Sequence, residues 1–153
     1  MKKRVLFICL LVAYIAIIIK VMVFKEIPVI RIGHMMFKFG GTQDGTANLV
    51  PFTTIWPYLV GERGWMSAFV NLIGNVVMLV PIGFIVPFIY GKMTWKKSLI
   101  LAIAAGLAIE GMQEIWHVGI FDIDDVILNA LGVMLGYWGN ARMRKCGNAE
   151  MQE

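Results

Sequence analysis

The residues of this chain with the most chemical potential are acids and amides set inside apolar sequence. Glu110 and Gln113 share a helical face with Glu114, and Asn71 and Asn75 stand four apart on an earlier apolar run. Asp122, Asp124, Asp125 and Asn129 open a later one. An acidic group at the middle of a membrane helix costs about 3 kcal/mol, so Glu110 is kept for a partner or for a function. Glu110 with Asp122 or Asp125 could act as general acid and base, if two close carboxyls hold different protonation states. Asp122 has a structural reading as well. It stands where a helix N-cap would, with Asp125 three residues on, where the helix dipole favours a carboxylate.

Metal chemistry has a thinner basis. Glu114 and His117 have the Glu-x-x-His spacing of bundle metal sites, and Asp122 could join them, but a second such pair is missing from the sequence. The expectation is therefore no metal and no cofactor. Gly-x-Ser-x-Gly, His-Glu-x-x-His and a phosphate-cradling glycine loop are all absent, and His34 and His117 both fall outside the apolar runs. Enzymatic activity is thus left open, with the balance against it.

The elements that must position these groups follow from composition. Of 153 residues, 59% are apolar and 16% are Asp, Glu, Lys or Arg, which excludes a disordered chain and argues against a water-soluble globule. Mean hydropathy is +0.74. The formal charge of +4 forms no basic stripe but lies beside apolar runs, so no nucleic-acid partner is expected. Cys9 and Cys146 make no disulfide framework.

Four membrane spans are expected, at about residues 5–24, 66–90, 98–116 and 125–140, forming an all-α bundle in a single domain. The first is too long for a signal peptide and lacks a small-x-small cleavage site, so it reads as a retained helix. Pro81, Gly83 and Pro87 predict a kink or break in the second. Lys2, Lys3, Arg4, Lys92, Lys96, Lys97, Arg142, Arg144 and Lys145 fall on one side of such a bundle, against Lys25, Arg31, Lys38 and Arg63 on the other. The positive-inside rule then predicts a multi-pass protein with both termini cytoplasmic and residues 141–153 as a cytoplasmic tail. Trp56, Tyr58, Trp65 and Trp116 fall at the outer interface.

Residues 25–65 form the only long connection, read as an outer interfacial segment. Ile30-Arg31-Ile32 and Phe37-Lys38-Phe39 could pair as a small hairpin before the Gly40-Gly41-Thr42 break, and Asn48 to Ile55 leads into an apolar aromatic stretch. Ser67, Asn71 and Asn75 make one stripe on the second span. Ala102, Gly106, Glu110 and Glu114 make another on the third, and Asp125, Asn129, Gly132 and Gly136 a third on the fourth. Packing Gly132 and Gly136 with Ala102 and Gly106 in the small-xxx-small manner would carry the polar residues inside. Asn71, Glu110 and Asn129 would each lie roughly 6 to 9 Å from the outer helix ends.

With these blocks in hand, the chain resembles the VanZ-like family of bacterial membrane proteins. The resemblance is carried by Asn48-Leu49-Val50-Pro51-Phe52, by Asn71-x-x-Gly74-Asn75 continuing to Pro81-x-Gly83, and by Glu110-x-x-Gln113 continuing through Phe121-Asp122-x-Asp124-Asp125 to Asn129-x-x-Gly132. It covers about residues 45–138. Some members carry a basic residue shortly before the Phe-Asp pair, where this chain has Gly119-Ile120. The resemblance implies a small multi-span protein, associated through its founding member with resistance to the lipoglycopeptide teicoplanin. It also implies a binding set of Asn48, Asn71, Asn75, Glu110, Gln113, Asp122, Asp125 and Asn129.

Three functions stay open at this stage. One is an outward-facing polar pocket in the bacterial cytoplasmic membrane that lowers susceptibility to lipoglycopeptides, with membrane lipid, a lipoglycopeptide or a lipid-linked cell-wall precursor as partner. Another is an intramembrane enzyme acting on a cell-envelope lipid or lipid-linked precursor. The last is an assembly partner of another membrane protein, docking through the Gly132 to Gly136 face.

Overall fold

The computed structural model describes residues 2–23, 30–32, 35–37, 46–62 and 65–150. The expectations that rest on Lys25, Lys38 and Arg63, on the Gly40 to Thr42 break and on the side chains of Trp65 and Ser67 lie outside the described residues. Helix α1 covers Lys2–Ile18 and continues through one wider π turn, Ile19–Val23. Strands β1 (Ile30–Ile32) and β2 (Met35–Phe37) pair antiparallel with Ile30 opposite Phe37, so the expected hairpin forms on the near side of Lys38. Helices α2 (Ile55–Leu59), α3 (Trp65–Ile89), α4 (Trp95–Ile115) and α5 (Ile123–Glu150) complete the chain. The fold is essentially helical.

Three helical stretches, Lys2–Val23, Asn71–Ile89 and Trp95–Ile115, are long and apolar enough to cross a membrane. Their outward faces carry large exposed side chains, among them Leu10 and Val12 on α1 and Ile100 and Leu107 on α4. Water would penalise such surfaces, whereas lipid tails solvate them.

Contacts fix how the helices run. Phe7 near the start of α1 stacks on Phe88 near the end of α3, with ring centroids 4.5 Å apart, and the Tyr14 hydroxyl donates to Met78 O at 2.8 Å. Helices α1 and α3 are therefore antiparallel. Helix α5 lies parallel to α3 in the tightest packing of the fold, with Asn75 beside Asp125 at one end and Phe84 beside Asn140 at the other. A Cβ built at Gly132 would strike Val76 O, one at Gly136 would strike Val80 O, and one at Gly83 would strike Val133 O. Backbones this close exchange Cα–H···O contacts from both helices, which replace the hydrophobic drive that lipid cannot supply. The Gly132 to Gly136 face thus packs within the chain against α3, not against Ala102 and Gly106, and is not left over for an assembly partner. Gly106 meets Val126 instead, at 3.0 to 3.1 Å from a built Cβ. The apolar core is centred on Leu79, Ile82, Ala102, Ile109 and Val133, closed by Ile18 and Val23.

One expectation about boundaries is narrowed and another corrected. Of the kink or break expected in α3, the break does not occur, since the helix runs unbroken through Pro81 and Pro87. Each proline leaves a carbonyl four residues back, at Val77 and Gly83, without its helical donor. Tyr14 and Asn140 bring side-chain donors to the adjoining carbonyls of Met78 and Phe84, the latter at 2.9 Å. Helix α5 does not stop at 140 but continues to Glu150, so the tail expected at 141–153 is helical over most of its length. The uncharged run ends at Ala141, whereas the backbone ladder continues through the basic residues beyond it. Helix α4 begins at Trp95, ahead of its apolar run, because Thr94 caps it and accepts the Lys97 N–H at 3.4 Å.

Candidate functional site

Because α1 and α4 run against α3 and α5, the end of α1, the start of α3, the end of α4 and the start of α5 come to one end of the bundle. Every residue of the expected polar set lies there or within a few turns of it. Asp122 caps α5, its Oδ1 accepting the Asp124 N–H at 2.9 Å, as the sequence suggested. The 121–123 backbone pairs with Asn48: the Asn48 N–H donates to Phe121 O at 2.8 Å and the Ile123 N–H to Asn48 O at 3.0 Å. The Asn48 side chain donates to Asp122 Oδ1 at 3.2 Å and to Thr54 Oγ1 at 3.0 Å, and the Thr54 hydroxyl donates to Asp122 Oδ2. Residues 48–55 are thereby drawn across the end of the bundle as a strap.

Asp124 completes the latch, and it is the one aspartate of its cluster that the expected binding set left out. It is 0% exposed. Its carboxylate accepts the Phe52 N–H at one oxygen and, at the other, the N–H groups of Thr54 at 2.7 Å and Ile55 at 3.0 Å. Phe52 adopts a left-handed φ of 69°, an uncommon conformation for a bulky residue, and that turn lets the three donors converge. The one signal in the sequence was redundancy. Asp122 already suffices as a cap, so a second acid at the next helical position but one had to answer to something else. Thr54 was also outside the expected set; it precedes α2 but makes no side-chain cap bond there.

Beneath the strap the expected residues divide. Glu110 is 1% exposed, and its Oε2 accepts the Asp122 N–H at 3.1 Å, which joins α4 to the start of α5. The Asn75 side chain donates to Asp125 Oδ1 at 2.6 Å, which joins α3 to α5. The Gln113 side chain turns away and donates to Met22 O at 3.1 Å, holding the π turn of α1. Asn71 lies exposed and donates to the Tyr58 hydroxyl of α2 at 3.1 Å. Asn129 differs from all of these. It is 0% exposed, and neither its Nδ2 nor its Oδ1 has a hydrogen-bond partner. Each buried polar group left unmatched costs about 1 to 3 kcal/mol, so such a residue calls for an explanation.

The metal candidates have structural occupations. Glu114 Oε2 accepts the Phe121 N–H at 3.0 Å. His117 takes the left-handed position that ends α4, with φ 54°, its own N–H donating to Glu114 O and the Val118 N–H to Gln113 O. This is a Schellman ending, with histidine where glycine is usual. Among the described residues, no three His, Cys, Asp or Glu side chains are placed to hold a metal ion.

The opposite end carries Lys2, Lys3 and Arg4, Lys92, Lys96 and Lys97, and Arg142, Arg144 and Lys145 on four segments. Lys97 Nζ donates to the Tyr90 hydroxyl at 3.2 Å and to Lys92 O at 3.4 Å, closing the short turn between α3 and α4.

No curated protein and no solved structure matches the chain. A family model, VanZ/LLP1, matches it over residues 8–143, from the first turns of α1 to the basic part of α5. That range takes in the strap, the latch and the polar set together. With a match over nearly its whole length and helices that suit a bilayer, this chain is a membrane protein of the VanZ/LLP1 family.

Proposed function

We propose that this protein lowers susceptibility to lipid-tailed glycopeptides such as teicoplanin, by taking the ligand at the outer leaflet of the bacterial cytoplasmic membrane. The pocket is the polar layer of Glu110, Asn75, Asp125 and Asn129, roofed by the 48–55 strap. The observation that carries this reading is the latch. Asp122 and Asp124 hold the strap over buried polar side chains at one end of an apolar bundle. The strap and α2 expose Leu49, Val50, Phe52, Trp56 and Leu59, apolar side chains suited to the interface between headgroups and acyl chains. A lipid tail could stay in the bilayer while its polar part meets the residues beneath.

In this reading both termini are cytoplasmic, because nine basic residues gather at the end away from the strap. Helix α5 makes the fourth crossing with residues 126–141, sixteen uncharged positions that span about 24 Å. Inhibitory concentrations of teicoplanin and vancomycin are to be compared in a susceptible Gram-positive host, expressing wild type, Glu110→Gln or Asp125→Asn at equal levels. A rise for teicoplanin that both variants abolish is expected. Full protection in both variants would sink the pocket.

A further inference from the structure

Seven of the eight expected polar residues are committed to named partners within the protein, and Asn129 is the exception. Its position is not that of a stray surface amide. It lies on α5 one turn inward of Asp125, and side chains on a helix lean toward the N-terminus, which here means toward the strap and the Asn75–Asp125 pair. Val126 and Val133, one turn to either side on the same helix, are buried apolar residues.

The chemistry of the side chain says what would suit it. A carboxamide offers a donor and an acceptor on one planar carbon. A phosphate or an ester offers acceptors and would leave Oδ1 unmet. An ammonium offers donors and would leave Nδ2 unmet. Another amide answers both, as do the N–H and C=O of one extended peptide residue, which point to the same side of the chain.

We propose that Asn129 is the residue that reads the ligand, and that it takes an amide group, carried on a lipid-anchored molecule, between α3, α4 and α5. This rests on the pocket reading for the ligand's route and names the ligand's chemistry. In the closed bundle the amide is fully enclosed, so binding parts the helices and gives Asn129 the partners it lacks. The other residues of the set position the strap and the helices around it.

The test uses the full-length protein in detergent micelles holding equal mole fractions of one C18 probe: oleamide, methyl oleate or oleylamine. The variants are Asn129→Leu, Asn129→Ala and, as a control at the other unmatched buried polar atom, Ser98→Ala. Without probe, at least one Asn129 variant should melt no lower than wild type, because no protein hydrogen bond is lost. Oleamide should raise the melting temperature of wild type and of Ser98→Ala by about 3 °C or more, and of neither Asn129 variant. Methyl oleate and oleylamine should have no such effect. The proposal is overturned if both Asn129 variants melt well below wild type, if the oleamide shift persists in them, or if the three probes act alike or not at all. Because drug protection is not the readout, such a failure leaves the pocket to stand or fall by the Glu110 and Asp125 comparison.

Discussion

Replacing Asp124 by Asn tests the latch with almost no change in shape. The substitution keeps one acceptor, which can serve the Phe52 N–H, but sets an NH2 group against the N–H groups of Thr54 and Ile55. Two charge-assisted bonds are lost at about 1.5 kcal/mol each, the low end of their range, so the strap is held about 3 kcal/mol less firmly. At 1.4 kcal/mol per factor of ten, opening becomes roughly a hundredfold more frequent. The Asn48 backbone pairs and the Thr54 to Asp122 bond remain, so the strap frays from Phe52 to Ile55 without leaving the bundle. Amide hydrogen exchange of the protein in nanodiscs reads this directly. The amides of 52, 54 and 55 should exchange about a hundred times faster in Asp124→Asn, while those of Leu79 and Val133 in the core keep wild-type rates. Strap exchange within about threefold of wild type would refute the reasoning, as would equal acceleration of the core, which would make Asp124 a determinant of the whole fold.

Other substitutions separate packing from function. Gly132→Ala and Gly136→Ala drive a methyl into α3 carbonyls and should each lower stability by about 1 to 3 kcal/mol or more, whereas Gly74→Ala, which meets nothing within 4 Å, should gain about 0.5 to 1 kcal/mol in thermal melts. Asn75→Ala leaves the Asp125 carboxylate short of a donor and should cost about 1 to 3 kcal/mol, whereas Asn71→Ala, in an exposed pair with Tyr58, should change stability by less than about 0.6 kcal/mol. For topology, a membrane-impermeant maleimide should label the exposed Cys146 in intact cells only after permeabilisation; labelling beforehand would reverse the orientation.

Much of this was legible in the residues. Apolar run length set the three clear spans, since a 30 Å hydrocarbon layer demands about twenty such residues whatever the neighbours do. The Asp122 cap was equally local, because the orphan N–H groups that need an acceptor lie within three residues of it. Likewise the i, i+4 spacing of Asn71 and Asn75 placed both on one side of α3.

Partner choice was not local. Which helix the Gly132 to Gly136 face meets depends on backbone approach across the bundle, and α3 is the answer although Ala102 and Gly106 offer an equally small stripe. The side-chain donors that reach the carbonyls beside the orphaned ones come from elsewhere in the chain, from α1 near Pro81 and from α5 near Pro87. The eight polar residues carried little in the sequence to say which partner each would bond. Only tertiary structure separated the latch at Asn48 and Asp122 from the tie at Gln113, added Asp124, and left Asn129 without a partner. The physical reason is range. Periodicity and capping act over a few residues, but a hydrogen bond between Thr54 and Asp124 joins groups seventy positions apart, and no spacing along the chain encodes which distant donor will arrive.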